Sequence, residues 1–519
     1  MEDITRAAVY IDESIYDGQA EQGVELDYVL PDYCPDIFKI LSCTLSPKVV
    51  SYNVSGDCKL NIDGVVYIKV LYMAENSNDV YCVDQRYTYS KTVDMARKNM
   101  PWGQLLPDVT PAVSLSMKSD YCNCRAISPR RIDVRGAVSC RVKATAGVEY
   151  ALPEIPEELQ VKTVEVSCCG KTLSAEKQVI IREEIETGAE GIAFIMQCSA
   201  VPKVMDLRVI ADKAVLKGTV SISALYGIFN PESGGASQTE KMTADIPISA
   251  ILDIDGITDS HQCFPEISIM NFELVPKSDS GILSCEILAE CKIRAQTENK
   301  ICIATDTYST DYETDFTSNT MKISSDPRVI NENLSIRTNL NCDKGEIHSV
   351  WDVSGELKNA ACRPTDDGKL LLTGQLFITA YGTNTDGVPF CSEKQENIEE
   401  RISAANVTPD TIVDFNAAVT DTGFSIKPDG TLDVTSTIAF EASLHNVNPV
   451  SAINEVTVYE DRPLDKSDEF ALRICYTDDS SDCWSIAKRC GTTVKALMEE
   501  NDIENCDEPL SGMIIIPTV

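Results

Sequence analysis

Side chains able to do chemistry are sparse along this chain. It has three histidines, His261, His348 and His445, each in a different context. No metal-ligand cluster or acid–base dyad is visible around them. Cysteine is abundant at 21, yet no C-x-x-C pair occurs, and Cys122-x-Cys124 and Cys168-Cys169 are the only close pairs. The odd count argues against a secreted disulfide framework. Cys140, Cys285 and Cys291 sit inside apolar runs, as small core residues do. Thiol oxidation would matter only in an oxidising assembly. In "LPDYCPDIFKIL" (30–41) Asp32 and Asp36 flank Cys34, with no histidine near. There is no G-x-S-x-G elbow, P-loop or G-x-G-x-x-G fingerprint. The expectation is a non-enzyme with no catalytic residue, no metal ligand and no cofactor.

Something must nevertheless position 519 residues, enough for three or four domains. A formal net charge of −36, spread along the chain, repels nucleic acid and anionic lipid and favours solubility or a basic partner. No stretch reaches the roughly 20 apolar residues of a membrane span. The opening "MEDITRAAVYIDESIYDGQ" lacks a basic region followed by an apolar run, so the chain is expected to stay inside the cell.

Sliding the sequence on itself by about 155 residues places Val24, Leu26, Leu30 and Ile37 over Val179, Ile181, Ile185 and Ile192, then over Leu334, Ile336, Leu340 and Ile347. Cys43 falls on Cys198, and Pro47-Lys48 on Pro202-Lys203. Gly64, Gly218 and Gly374 each open an apolar run ending in tyrosine, the third run one residue shorter. A glycine there marks a bulge or a close backbone approach. Long alternating runs follow at 132–144, 281–293 and 431–443, the period-two pattern of half-buried antiparallel strands. Helical patterning is confined to 94–105 and 393–406. In 30–41 the prolines set a rigid connection whose Tyr33 and Ile37 are expected to plug the core. Domains are placed at 1–148, 149–303 and 304–462, with a polar linker at 463–469 and a final module at 470–519.

That module reads strand, helix, helix, strand. "FALRICY" (470–476) alternates, Ser481 or Asp482 can cap a helix that Gly491 stops, Thr492 or Thr493 caps "VKALMEEN", and "MIIIP" (513–517) returns as a strand. "WSIAKRCGTTVKALMEEN" with "LSGMIIIP" resembles a LysM module, the βααβ fold that binds N-acetylglucosamine polymers. The resemblance implies core positions at Trp484, Ile486, Ala487, Val494, Leu497 and Ile515. It implies a groove between Ser480, Ser481, Asp482 and Cys483 on one side and Asn501, Asp502 and Ile503 on the other. Where the family carries Gly-Asp-Thr ahead of "LW", this chain has "SSDCW".

"PDYCPDI", the repeats and a terminal LysM together resemble the SPOCS-domain proteins of spore-forming Firmicutes. The resemblance implies a mainly β chain: three tandem β-sandwich-like SPOCS repeats of about 155 residues and then a small βααβ module. It also implies a scaffold of the spore coat in the mother-cell cytoplasm at the forespore surface. Its partners would be the SpoIVA-type ATPase of the basement layer and other coat proteins. The other reading is a peptidoglycan-binding protein of the cortex or wall.

Overall fold

The computed structural model describes residues 8–517 apart from 56–58, 76, 96–103, 106–110, 190, 278–279, 342–345, 465–472 and 506–508. Most of the 94–105 segment, most of the linker and the first three residues of "FALRICY" therefore lie outside the described residues. What is described is almost entirely strand, with both of its helices in the last module.

In the first repeat β1 (Ala8–Val29), β7 (Arg131–Ala151) and β6 (Ala112–Ser128) form one antiparallel sheet, with the short β5 (Gln104–Leu105) also on β7. β2 (Ile37–Val54), β3 (Lys59–Ala74) and β4 (Val80–Asp94) form the facing sheet. Alternation explains the pairing: Val24 from β1, Leu45 from β2, Val66, Ile68 and Val70 from β3, and Ile132, Val134 and Val138 from β7 fill one apolar layer. Cys140, Cys285 and Cys291 are buried, as their apolar surroundings require.

The second repeat uses β9 (Leu173–Glu186), β14 (Ile282–Gln296) and β13 (Gln262–Pro276) against β10 (Ile192–Ile210), β11 (Lys213–Phe229) and β12 (Ala236–Asp253). The third uses β16 (Tyr312–Leu340), β21 (Leu432–Pro463) and β20 (Ile412–Ile426) against β17 (Ile347–Pro364), β18 (Lys369–Asn384) and β19 (Pro389–Ser403). Segment 393–406 is thus mainly strand, not helix. Ile398 and Ile402, four apart, satisfy both periods, and pairing along β18 selects the extended one.

The recurring glycines sit at strand irregularities. Gly64 pairs with Val49 and Gly218 with Val204, and in each case the register shifts at the next partner residue; Gly374 pairs across a shift between Lys358 and Ala361. Space is short there as well: a Cβ on Gly218 would lie 2.6 Å from the Lys203 carbonyl oxygen. Anchored by these bulges, Tyr72 pairs with Ile40 and Tyr226 with Ile195, but Gly382 takes the corresponding place opposite Val350. Tyr381 instead matches Leu71 and Leu225, and all three are buried in one cluster where the second sheets of the repeats meet. Tyr33 is 87% exposed, while Ile37 is buried. The reason is Arg130, which donates to the carbonyl oxygens of Leu30, Pro31 and Cys34 and to Asp36, and fixes the loop from below with its tip in solvent.

Beyond each sandwich the first and last strands continue as a two-stranded ribbon. In the second repeat the continuation is β8 (Gln160–Cys169) paired with β15 (Glu298–Tyr308); in the others it is the outer part of β1–β7 and of β16–β21. The three ribbons pack into one stem through Val148 and Tyr150, Cys168 and Ile303, and Met321, Ile323 and Ala452. Ion pairs tie the repeats elsewhere. Asp414 of the third repeat accepts from Lys143 of the first (3.3 Å) and Arg294 of the second (2.8 Å), and buried Asp352 pairs with Lys241 at 2.7 Å. Burial would raise the Asp414 pKa, but Arg294 and Lys143 hold it below its ordinary value.

Ile323, at the centre of the stem, is fully buried. Ile323→Ala is expected to cost about 2–5 kcal/mol by urea denaturation, with the earliest change between repeats, read by hydrogen exchange in 148–152, 160–169 and 298–308.

Candidate binding surfaces of the C-terminal module

The last module folds as β22 (Arg473–Ser481), α1 (Cys483–Cys490), α2 (Val494–Glu500) and β23 (Leu510–Ile516), with β22 and β23 antiparallel. Asp482 caps α1 by accepting from the Ser485 amide at 2.9 Å. Gly491 ends it in the left-handed region, at φ 65°, and Thr493 caps α2. The buried centre is Cys483, Ile486, Ala487, Leu497, Ile514 and Ile516, with Val494, Met498 and Ile503 partly buried around it.

Two expected positions, Ile515 and Cys483, stand elsewhere than the resemblance implied. Ile515 is half-buried, and its neighbours Ile514 and Ile516 point inward, because a one-residue offset in a strand exchanges faces. Cys483 is 0% exposed, so its side chain belongs to the core, not to a groove wall. Trp484 is partly buried and packs against this core from its edge. Its indole N–H donates to Asp306 at 2.7 Å, and its ring meets Tyr308 edge-on with centroids 5.0 Å apart.

Asp306 and Tyr308 belong to β15 of the stem, so the module is docked on the repeats. Lys488 donates to the other Asp306 oxygen at 2.5 Å and lies over the Phe316 ring. Tyr308 hydroxyl donates to the Thr492 carbonyl oxygen at 2.7 Å from a buried position within the module's own core. Lys162 of β8 donates to Asp482 at 2.8 Å. Burial would raise the Asp482 pKa, but the hydrogen bonds from Lys162 and Ser485 bring it down to about 2. None of these stem partners carried a signal in the sequence, since each lies far along the chain from the residue it meets.

The groove residues divide by what holds them. Ser480 and Ser481 end β22, and Ser481 pairs with Leu510. Asp482 is committed to its cap and to Lys162. Asn501 turns inward: its amide donates to the Leu497 and Ile515 carbonyl oxygens (2.8 and 2.7 Å) and accepts from the Ile515 amide at 2.7 Å, latching α2 to β23. Ile503 is half-buried. Asp502 is exposed, with φ 52°. The outer face of the β22–β23 sheet is apolar and open, with Ile474 42%, Tyr476 76% and Met513 55% exposed, and Tyr476 paired directly with Met513.

No cluster of histidine, cysteine or carboxylate able to hold a metal occurs among the described residues, and no described helix is long and apolar enough to cross a membrane. The family profile described as SipL, SPOCS domain matches residues 36–114 and 192–275, and the LysM domain profile matches 481–516. The two SPOCS matches fall on equivalent ground, from the second strand of each sandwich into β6 and into β13. The matches, over two of the three β repeats and the last module, fit an architecture of SPOCS domains with a C-terminal LysM domain. No curated protein and no solved structure matches it.

Asp306→Ala removes the acceptor shared by Trp484 and Lys488. Faster proteolysis between 463 and 473 is expected, with far-ultraviolet circular dichroism unchanged. Asn501→Ala leaves backbone groups unlatched and is expected to cost about 1–3 kcal/mol, read as a lower melting temperature of the module. Because the folded pKa of Asp482 is depressed, its contribution is complete above the ordinary carboxylate value near 3.8 and is lost as pH falls from there towards 2. Protection factors across α1, corrected for the intrinsic pH dependence of amide exchange, should fall as pH drops through that window and stay constant above pH 5.

Proposed function

We propose that this chain is a non-catalytic scaffold of spore-coat assembly, linking the SpoIVA-type basement-layer ATPase to the forespore surface and to other coat proteins, with LysM used for protein binding. The domains 1–148, 149–303, 304–462 and 470–519 serve this reading as units of contact surface, with β7 and β15 running a few residues past the first two boundaries. The observation that carries it is the state of the module's polar and apolar groups. Asp482 and Asn501, two polar residues of the groove that the LysM resemblance implies, are engaged within the chain. An open apolar face of Ile474, Tyr476 and Met513 stands ready for a partner instead. Aromatic and methionine side chains of this kind are enriched where proteins meet. The SPOCS and LysM matches support an association with the spore and a capacity to bind protein or peptidoglycan.

In this reading the module docks by the outer face of its sheet and by the exposed Asp502 loop, while the acidic repeats hold further proteins. Three linked repeats raise effective concentration for any partner that meets more than one. The mother-cell side of the forespore is the corresponding location.

The full-length chain should bind the purified ATPase and fail to sediment with peptidoglycan. A Tyr476→Asp, Met513→Asp double variant should lose about 30-fold or more in ATPase affinity, the size of a central anchor, with the circular dichroism spectrum retained. Sedimentation with peptidoglycan and no binding to the ATPase would move the protein to the cortex or wall.

A further inference from the structure

Cys43 on β2 and Cys122 on β6 bring their sulfurs to 3.2 Å across the two sheets of the first sandwich. Cys124, two residues on along β6 and on the same face, also turns towards Cys43. The sequence contributes to this close approach. Cys122 pairs with Gly136 on β7, and a Cβ at Gly136 would lie 2.6 Å from Leu45 of β2. The atom met is the Cδ1 at the end of the Leu45 side chain, and the Tyr121 carbonyl oxygen of β6 lies equally close, so the missing Cβ eases packing of β2, β6 and β7 here.

Packing alone does not call for sulfur here. Val24 and Leu26 pair with Gly136 and Val134, the residues that face Cys122 and Cys124. Their counterparts Val179 and Ile181 pair with Ala289 and Ile287, which face Ile269 and Phe272. In the third repeat Leu334 and Ile336 pair with Ile438 and Ser436, which face Val419 and Thr422. Cys43 has a counterpart in Cys198, but the β6 thiols Cys122 and Cys124 that face it belong to the first repeat alone. Cys43, Cys122 and Cys124 are half-buried, open enough for a small oxidant and shielded from larger thiols.

We propose that Cys43 and Cys122 are a peroxide-responsive dithiol that closes to a disulfide across the first sandwich. The Cys122 thiolate attacks hydrogen peroxide, breaking the O–O bond and giving a sulfenic acid and, with one proton, water. Cys43 then attacks the Cys122 sulfur, the S–S bond forms, and hydroxide leaves to take the Cys43 proton as a second water. Two electrons pass from the two sulfurs to the peroxide. The contact between the sulfurs fits these roles: Cys43, held between two thiols and buried, is raised, and Cys122 is lowered by its hydrogen bond with Cys43. Closing to an S–S bond of about 2.05 Å needs roughly 1 Å of movement. The link encloses a long loop and pins β2 to β6, which stabilises the repeat.

The test uses the full-length chain, reduced, titrated with hydrogen peroxide, blocked with iodoacetamide and digested with trypsin. Tandem mass spectrometry should find peptide 40–48 joined to 119–125 through Cys43 and Cys122. The link should form at peroxide concentrations that leave buried Cys140, Cys285 and Cys291 alkylatable after unfolding, and dithiothreitol should reverse it. The oxidised protein should melt several degrees higher, a rise that Cys122→Ser abolishes. Recovery of Cys43 and Cys122 as separate alkylated peptides once exposed Cys302 has been oxidised overturns the proposal, as does a link from Cys43 to Cys124 alone.

Discussion

The antiparallel pairing of each repeat's first strand with its last is the constraint on which the rest of the molecule depends. It closes a chain segment of well over a hundred residues on itself, and its register cannot slip without turning every core side chain to solvent. In the first repeat it runs from Ala8 opposite Ala151 to Val29 opposite Arg131, further than the sandwich needs. The surplus is the ribbon. Because all three repeats carry it, three ribbons meet, and the stem of Tyr150, Ile303, Met321 and Ile323 turns tandem domains into one body. That body has to hold together against a net charge of −36. Cations are accordingly spent at the seams: Lys143 and Arg294 converge on Asp414, and Lys241 meets Asp352.

What could be read from the sequence follows from the same physics. Period-two alternation is a local signal, so the β class and the recurrence of strands at an offset of about 155 residues were legible without a structure. So were the helix caps at Asp482, Gly491 and Thr493, whose chemistry lies within a few residues. Contacts between distant elements were not. The strand at 393–403 offers isoleucines at a spacing common to both periods, and only its neighbour β18 decides. Tyr381 lines up with the other terminal tyrosines by eye, yet it stands one residue earlier and pairs with Asp352, where Tyr72 and Tyr226 pair with Ile40 and Ile195. Tyr33 has the composition of a core plug, and the Arg130 clamp that holds it outward comes from about a hundred residues away.

The candidate site shows the same division. A LysM module read alone needs its tryptophan for its own centre. Here Trp484 packs against that centre beside buried Cys483 and also reaches Asp306 and Tyr308 of the stem. The "SSDCW" departure thus has a structural counterpart: the acid next to the cysteine serves as helix cap and as the acceptor for Lys162. Tyr308 completes the exchange by burying its ring in the module and donating to Thr492. The stem is therefore no plain surface for the module, since Tyr308 fills a position inside the module's core.

Docking also decides which surfaces remain. With α1 set against the stem, the sheet face of Tyr476 and Met513 points away from it and is left to solvent. Three repeats of one architecture supply three similar frameworks, but their side chains have diverged where a framework does not dictate them. The first carries the Arg130-clamped loop and the close-packed thiols opposite Gly136; the second lends its ribbon to the LysM module; the third gives Asp414 to both neighbours. A repeat freed from holding its own fold by the shared stem can afford such differences. The backbone common to all three is therefore best read as support, and the positions at which one repeat departs from the other two as the places where a distinct task is carried.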